Sequence, residues 1–173
     1  MANRKPRRPS VPAAGRVSHG ALQHAIGYLI HLAQLANMQG FSRAFAGTGV
    51  TPARFTALEL IGCNPGIKPA LLASAMAVER SNLVSVIRFL DARGWVAAAE
   101  GSNRREKSLT LTATGQAALA DLRTRLAAHD AGLAARCSPR ERAQLARLLA
   151  RVVGVPPART PASGSPRPAR PAA

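Results

Sequence analysis

The fold is decided by residues 78–115, which read VERSNLVSVIRFLDARGWVAAAEGSNRREKSLTLTATG. Apolar side chains recur at helical spacing in the first part of this stretch, so a helix is predicted near residues 80–93. Its predicted buried stripe consists of Leu83, Val84, Ile87 and Leu90. Gly94 is expected to end the helix in a left-handed conformation. Two short strands, near 95–100 and 107–112, are predicted to follow and to form a hairpin.

Proline and glycine punctuation extends the pattern on both sides of this stretch. Thr51-Pro52 and Ser138-Pro139 each place a capping hydroxyl before a proline at the first helical position. Glu141 follows Ser138 at the spacing of a capping box. Further helices are therefore predicted near 19–46, 52–63, 69–76, 113–135 and 139–153. The predicted fold class is mainly α, a winged helix-turn-helix with about six helices and a β-hairpin wing.

The long terminal helices have apolar faces that so small a core cannot bury. These faces include Leu22, Ile26, Leu126, Leu145 and Leu149. An unburied apolar face favours self-association, so a homodimer is predicted. Residues 18–46 and 113–153 are the expected dimerisation helices of a domain over 18–153, and residues 51–112 form its other lobe.

The charge of the chain is strongly basic, with a formal net charge of +16 over 173 residues. Residues 1–17 hold five basic residues and residues 154–173 hold three, and neither segment has an acidic residue. Both ends are rich in Pro, Ala and Arg without hydrophobic periodicity, so they are predicted to be flexible tails. Half of the net charge, +8, remains on residues 18–153. This excess indicates a polyanionic partner, either nucleic acid or an anionic membrane surface.

Several classes of protein are disfavoured by the sequence. No apolar run approaches the roughly 18 residues of a membrane span, and no apolar export segment follows the basic start, so a cytoplasmic protein without a membrane partner is expected. Cys63 and Cys137 form no Cys-x-x-Cys pair. His24 and His31 could share a face of the first predicted helix, but no carboxylate or thiol in that helix completes a metal-binding set with them. Neither a metal, nor a cofactor, nor a catalytic residue is predicted, and the chain is not expected to be an enzyme.

A set of short motifs connects the chain to a known family. TPARF at 51–55, NPG at 64–66, VERSNLV at 78–84 and LDARGWV at 90–96 are followed by NRREK at 103–107 and LTATG at 111–115. In order and spacing these motifs resemble the MarR family of ligand-responsive transcription regulators, over roughly residues 20–153. One departure is Asn103, because the family's wing usually carries Asp there. The resemblance implies a homodimeric repressor that binds double-stranded DNA at a pseudo-palindromic operator and is released by a small aromatic or acyl ligand.

The residue types in this region suit DNA binding. Small polar residues at the first turns of a helix allow it to enter the major groove, which is roughly 12 Å wide. The predicted DNA contacts on this helix are Arg80, Ser81, Asn82 and Ser85, with Arg88 on a phosphate. The predicted wing contacts, in the minor groove, are Arg104, Arg105 and Lys107. The alternatives are an ordinary amphipathic surface helix and a solvated charged loop.

Ligand and redox sites have weaker signals. MarR-like proteins hold ligands between the first helix, the second helix and the DNA-binding lobe, which makes Tyr28, His31, Arg54 and Phe55 the ligand candidates. The alternative for each of the four is a packing or surface role. Cys63 ends an apolar helix and is expected in the core.

Two other functions compete with a ligand-released repressor. Cys137 lies between Arg136 and Arg140 before a helix start, a setting that can stabilise a thiolate. A thiol-based redox-sensing regulator is therefore one alternative. A nonspecific or architectural DNA-binding protein, driven by the basic tails and the overall charge, is the other.

Overall fold

A computed structural model describes residues 17–100 and 107–154, with the backbone alone for Glu100 and Lys107. A short 3-10 helix (Gly20–His24) comes first, and the remaining elements are helices α1 (Ile26–Ala44), α2 (Pro52–Cys63), α3 (Pro69–Ala75) and α4 (Arg80–Ala92), strands β1 (Val96–Glu100) and β2 (Lys107–Leu111), and helices α5 (Ala113–Leu133) and α6 (Pro139–Val153). The antiparallel hairpin and the helices confirm the predicted fold class. Apart from Val17 and Gly154, the two predicted tails lie outside the described residues.

Local capping sets the helix starts that the sequence predicted. The Thr51 hydroxyl accepts from the Arg54 N–H at 3.3 Å, and α2 begins at the following proline. At α6 the Ser138 hydroxyl accepts from the Glu141 N–H, while the Glu141 carboxylate accepts from the Ser138 N–H at 2.7 Å. These hydrogen bonds complete the predicted capping box and hold the pKa of Glu141 below its ordinary value. Gly94 has a φ of 63°, the left-handed conformation expected after α4.

The predicted first helix, 19–46, is wrong at its start. Ala25 has an extended backbone with ψ of 108°, and its N–H bonds back to Leu22 O, so the 3-10 helix ends there. The α-helix begins only at Ile26. No residue of the 3-10 helix is buried. Because none of its side chains is buried, packing does not stabilise this segment as a continuation of α1.

The chain divides into two compact units, one ending at His129 and one starting at Asp130. The core of the first unit forms where α2 meets α4, α3 and β2. Its largest fully buried side chains are Leu58, Ile61, Leu72 and Leu90. The aromatic rings of Phe41 and Phe45 stack with centroids 3.9 Å apart, and Phe45 meets Phe55 edge-on at 5.8 Å. These rings fix the end of α1 against α2.

A buried histidine joins α5 to α1 in the same unit. His129 is 7% exposed, and its Nε2 donates to Asn37 Oδ1 at 2.9 Å. Its ring also meets Phe41 edge-on, with the centroids 6.1 Å apart. The hydrogen bond satisfies a polar group that would otherwise be costly to bury.

The buried stripe of α4 differs from the prediction at one position. Leu83, Val86 and Leu90 are buried and Ile87 is half-buried, but Val84 is 47% exposed. Successive residues in a helix are rotated by about 100°, so Val84 lies outside the arc that Leu83, Ile87 and Leu90 share. The prediction that Val84 is core is therefore wrong, and Val86 takes its place.

Apolar side chains remain exposed on the terminal helices. Leu22, Ile26, Leu29 and Ile30 are exposed near the start of the first unit. In the second unit, α6 exposes Leu145, Leu148, Leu149 and Val152 along one stripe. Leu126 behaves differently, because it packs partly against the core. The other leucines and isoleucines of the predicted interface remain largely exposed to solvent in the described part of the chain.

An ion pair connects α2 to α5 at the surface of the first unit. Arg123 donates from Nε to Glu59 Oε2 at 2.9 Å and from Nη2 to Glu59 Oε1 at 2.7 Å. These hydrogen bonds hold the pKa of Glu59 below its ordinary value of 4.5. Cys63 is exposed beside the pair and donates from Sγ to Glu59 Oε1 at 3.4 Å, so the prediction that Cys63 is core is wrong. Partial desolvation and the neighbouring carboxylate raise the pKa of its thiol.

The Glu59–Arg123 pair should make a small, pH-dependent contribution to stability. A carboxyl whose pKa is lowered by folding stabilises the protein above its unfolded pKa and loses that contribution as pH falls through the folded value. Glu59→Gln should therefore lower the free energy of unfolding near pH 7 by about 1 kcal/mol or less, because both side chains are partly solvated. The difference from wild type should shrink below about pH 4.5.

Urea denaturation at pH 7 and pH 3.5 measures this difference. Asp121→Asn is the control, because Asp121 pairs with Arg125 only within one helix, at 2.9 Å. Such a pair is worth about 0.3–0.5 kcal/mol. A Glu59→Gln defect that is the same at both pH values would contradict the assignment.

Within the described residues, no single helix is long and apolar enough to cross a membrane, while α3 and α4, bent by 110°, pass that test as a pair by length and composition alone.

Candidate DNA-binding interface

Helices α3 and α4 form a helix pair joined by a tight turn. The two axes are bent by 110°, within the range of about 90–120° that helix-turn-helix motifs adopt. The turn is fixed by backbone hydrogen bonds from Val78 N to Ala73 O and from Ala77 N to Ser74 O, each 3.1 Å long. Ala77 has a φ of 51°, a left-handed conformation that usually favours glycine. Because the residue is alanine, its sequence gives no sign of this turn.

The face of α4 opposite the core is polar and exposed. The predicted contact residues Arg80, Ser81, Asn82, Ser85 and Arg88 are all exposed on this helix. They lie within its first nine positions, in the N-terminal part that enters the groove in helix-turn-helix proteins. No hydrogen bond or ion pair holds either arginine among the described residues. Both guanidinium groups are therefore available to an external anion.

Two polar side chains on this face offer different hydrogen-bonding groups. Ser85 donates its hydroxyl proton to Asn82 O at 2.8 Å, which leaves its oxygen as an acceptor. The side-chain amide of Asn82 has no partner within the described part of the chain, so both its donor and its acceptor are available. A donor–acceptor pair of this kind matches the N7 and N6 positions of adenine.

The hairpin supplies the wing, although its tip is not described. Strands β1 and β2 pair from Val96 opposite Leu111 to Glu100 opposite Lys107. Arg104 and Arg105 lie in the segment 101–106, outside the described residues. Lys107 is placed at the first position of β2, next to the tip. The described strands pack on the core through Val96 and Leu109, which are buried.

The end of α4 is tied to α2 by stacked cations and rings. The Arg54 guanidinium lies 3.7 Å from the ring centroid of Phe89, and Arg54 Nη1 donates to Gly49 O at 2.6 Å. Arg93 lies over Phe89 at 4.7 Å and over Trp95 at 5.1 Å. Contacts of this type are worth about 0.5–2 kcal/mol each. Arg54 therefore has a structural role in joining two segments that are distant in sequence.

The four candidate ligand-binding residues have different surroundings in the structure. The Tyr28 hydroxyl is in hydrogen-bond contact with His19 Nδ1 at 3.1 Å, and His31 is exposed. Phe55 is buried in the core, and Arg54 stacks on Phe89 as described. Their assignment to a ligand site stays a prediction.

A cavity in the first unit involves none of these four residues. It has a volume of about 220 Å³ and lies between α2, β2 and α5. Its lining consists of Ile61, Gly62, Pro65, Thr110, Leu111, Gln116, Leu119 and Arg123. Among these lining residues the formal charge is that of Arg123, which already pairs with Glu59.

The remaining sequence signals give no metal site in the described residues. No group of three or more His, Cys, Asp or Glu side chains there could hold a metal ion. Cys137 is half-buried before α6, and its carbonyl accepts from Arg142 Nε at 3.0 Å. Redox sensing at Cys137 stays a prediction.

A perpendicular helix pair, an exposed polar face on its second helix and a flanking hairpin define a winged helix-turn-helix protein. No protein-family model matches the chain. A protein of Thauera aromatica assigned as a transcriptional regulatory protein for the hcr operon is 32% identical over 147 residues, which are 84% of this chain and 89% of that protein. The transcriptional repressor CouR, solved with a 23-mer DNA duplex, is 30% identical with a TM-score of 0.74 and covers 79% of this chain and 98% of its own.

A MarR family protein of Mycobacterium tuberculosis is 27% identical in two solved complexes. With DNA the TM-score is 0.64, covering 73% of this chain and 96% of that chain. With p-aminosalicylic acid the TM-score is 0.62, covering 74% and 98%. The chain belongs to the MarR family of transcriptional regulators.

Proposed function

We propose that the protein is a sequence-specific regulator that binds double-stranded DNA as a homodimer, and that it acts as a repressor released by a small ligand. The observation that carries this proposal is the exposed polar face of α4, which stands at 110° to α3 and has two arginines without acidic partners among the described residues. Each protomer would place α4 in a major groove of a pseudo-palindromic operator.

The roles of individual residues follow from their chemistry. Asn82 and Ser85 read base edges together with Arg80 and Ser81, and Arg88 contacts a phosphate. Arg104, Arg105 and Lys107 would approach the minor groove from the wing. We place the regulator in the cytoplasm and assign it no catalytic step, in line with relatives that are transcriptional regulators.

Release by a ligand is supported by the relative from Mycobacterium tuberculosis that binds p-aminosalicylic acid. A ligand shifts the protein away from DNA only if it binds the two conformations with different affinities. An aromatic or acyl acid is the class of effector that we propose.

The test is to select an operator from a random duplex pool with the full chain and to measure binding by fluorescence anisotropy near physiological salt. Asn82→Ala should weaken binding to the selected operator by about 1–3 kcal/mol and leave binding to a scrambled duplex almost unchanged. Arg88→Ala should weaken binding to both duplexes. It should also flatten the slope of log affinity against log salt by about 0.9 for each phosphate that the variant no longer neutralises.

Thr124→Ala, at an exposed position of α5, is the control and should bind as wild type does. Equal losses on both duplexes for Asn82→Ala would contradict its role in base reading. A pool from which no sequence is enriched would favour the alternative, a nonspecific or architectural DNA-binding protein.

A further inference from the structure

Val84 is an exposed apolar side chain of α4 that lies beside the buried stripe, between the exposed Arg80 and Arg88. It is 47% exposed, while Leu83, Val86 and Leu90 of the same helix are buried. Arg80 lies one turn before it and Arg88 one turn after it, so the three side chains form a strip along the helix. The exposed half of this isopropyl group is in contact with water, so it adds no hydrophobic stabilisation to the free protein.

The charges around Val84 indicate what covers it. Arg80 and Arg88 are exposed and have no acidic partner in the described part of the chain. A surface with two free guanidinium groups attracts a polyanion, and the width of the major groove matches a single helix. The same DNA duplex that neutralises the arginines would therefore bury the valine.

Inside the major groove, only one base presents an apolar group at its edge. Thymine has a 5-methyl group, whereas cytosine has a hydrogen at that position and the purines present hydrogen-bonding atoms. Two methyl groups on the Val84 side chain provide a surface that matches the thymine methyl in chemistry and size.

We propose that Val84 reads the 5-methyl group of one thymine in each half of the operator. This assignment rests on the proposed function, since it requires α4 to lie in the major groove. It makes Val84 a specificity-determining residue that discriminates thymine from uracil and from cytosine.

The experiment replaces each thymine of the selected operator by uracil, which removes only the methyl group. Binding of the full chain is measured by fluorescence anisotropy for wild type and for Val84→Ala. At one thymine in each half-site, uracil should weaken wild-type binding about three- to fivefold, the effect of exposing one methyl group. Val84→Ala should bind the thymine operator correspondingly more weakly and should no longer distinguish uracil from thymine.

Two further measurements separate the methyl contact from other effects. The protein should bind weakly to an operator with cytosine at the sensitive position. An operator with 5-methylcytosine at that position should recover part of the affinity. Val84→Ile, which keeps an apolar branched side chain, should retain the preference for thymine, while binding to a scrambled duplex should be the same for all three proteins. Circular dichroism should show the same helix content for the variants, because position 84 is exposed.

Each outcome decides the proposal. A preference for thymine that disappears in Val84→Ala and persists in Val84→Ile supports it. Insensitivity of every thymine to uracil, or the same sensitivity in Val84→Ala, overturns the role of Val84 and leaves sequence-specific binding intact. A pool that yields no enriched operator overturns the proposed function together with this inference.

Discussion

Replacing Leu145 and Leu149 by aspartate is expected to convert the proposed dimer into monomers. Both side chains are on the exposed stripe of α6, at 46% and 43% exposure. Burying the exposed part of such a leucine is worth about 1 kcal/mol, so four leucines in a dimer contribute about 4 kcal/mol. Removing them should weaken dimerisation by about a thousandfold, and the buried carboxylates add a further cost.

A matched variant tests whether charge alone accounts for the effect. Ala143→Asp with Arg147→Gln also lowers the formal charge by two, but at positions on the opposite side of α6. Light scattering over a concentration series should give monomers for the leucine variant and dimers for the control. Binding to the selected operator should fall with dimerisation, because one protomer reaches only one half-site. A leucine variant that stays dimeric at micromolar concentration would show that α6 is not part of the interface.

Local signals in the sequence were sufficient for most helix boundaries. The starts of α2 and α6 depend on a hydroxyl cap followed by proline, and such a cap involves only residues within one helical turn. The left-handed Gly94 is equally local. These features were predictable because the atoms that determine them are neighbours in the chain.

Features that depend on packing were not predictable in the same way. The exposure of Cys63 follows from the direction in which the last turn of α2 points, and the stacking of Arg54 on Phe89 joins positions far apart in sequence. The break at Ala25 follows a segment in which no residue is buried, and burial depends on packing that a sequence does not show locally. Val84 is the exception. Val84 is four residues from both Arg80 and Arg88, so the helical period places it on the same side as these exposed arginines. Stricter use of that period would have predicted the exposure of Val84 from the sequence.

Gly115→Ala is expected to destabilise the fold strongly, because the first turn of α5 packs directly on the backbone that enters β1. Thr112 joins the two segments: its N–H donates to Trp95 O at 3.1 Å, and its hydroxyl donates to Gly94 O at 2.6 Å and accepts from the Gly115 N–H at 2.9 Å. A Cβ on Gly115 would overlap the Trp95 carbonyl oxygen, and it would lie 2.8 Å from the carbonyl carbon. These are backbone atoms, so no side-chain rotation relieves the clash.

The cost of this clash should be about 3 kcal/mol, at the upper end for overpacking, and the melting temperature should fall by about 10 °C. Gly132→Ala is the matched control, since Gly132 is also in α5 but a Cβ there meets nothing within 4 Å. Alanine is the better helix former, so this variant should gain up to about 1 kcal/mol. Thermal denaturation followed by circular dichroism measures both. Equal melting temperatures for the two variants would mean that α5 can move away from Trp95, and that the hairpin which carries the wing is not anchored by Gly115.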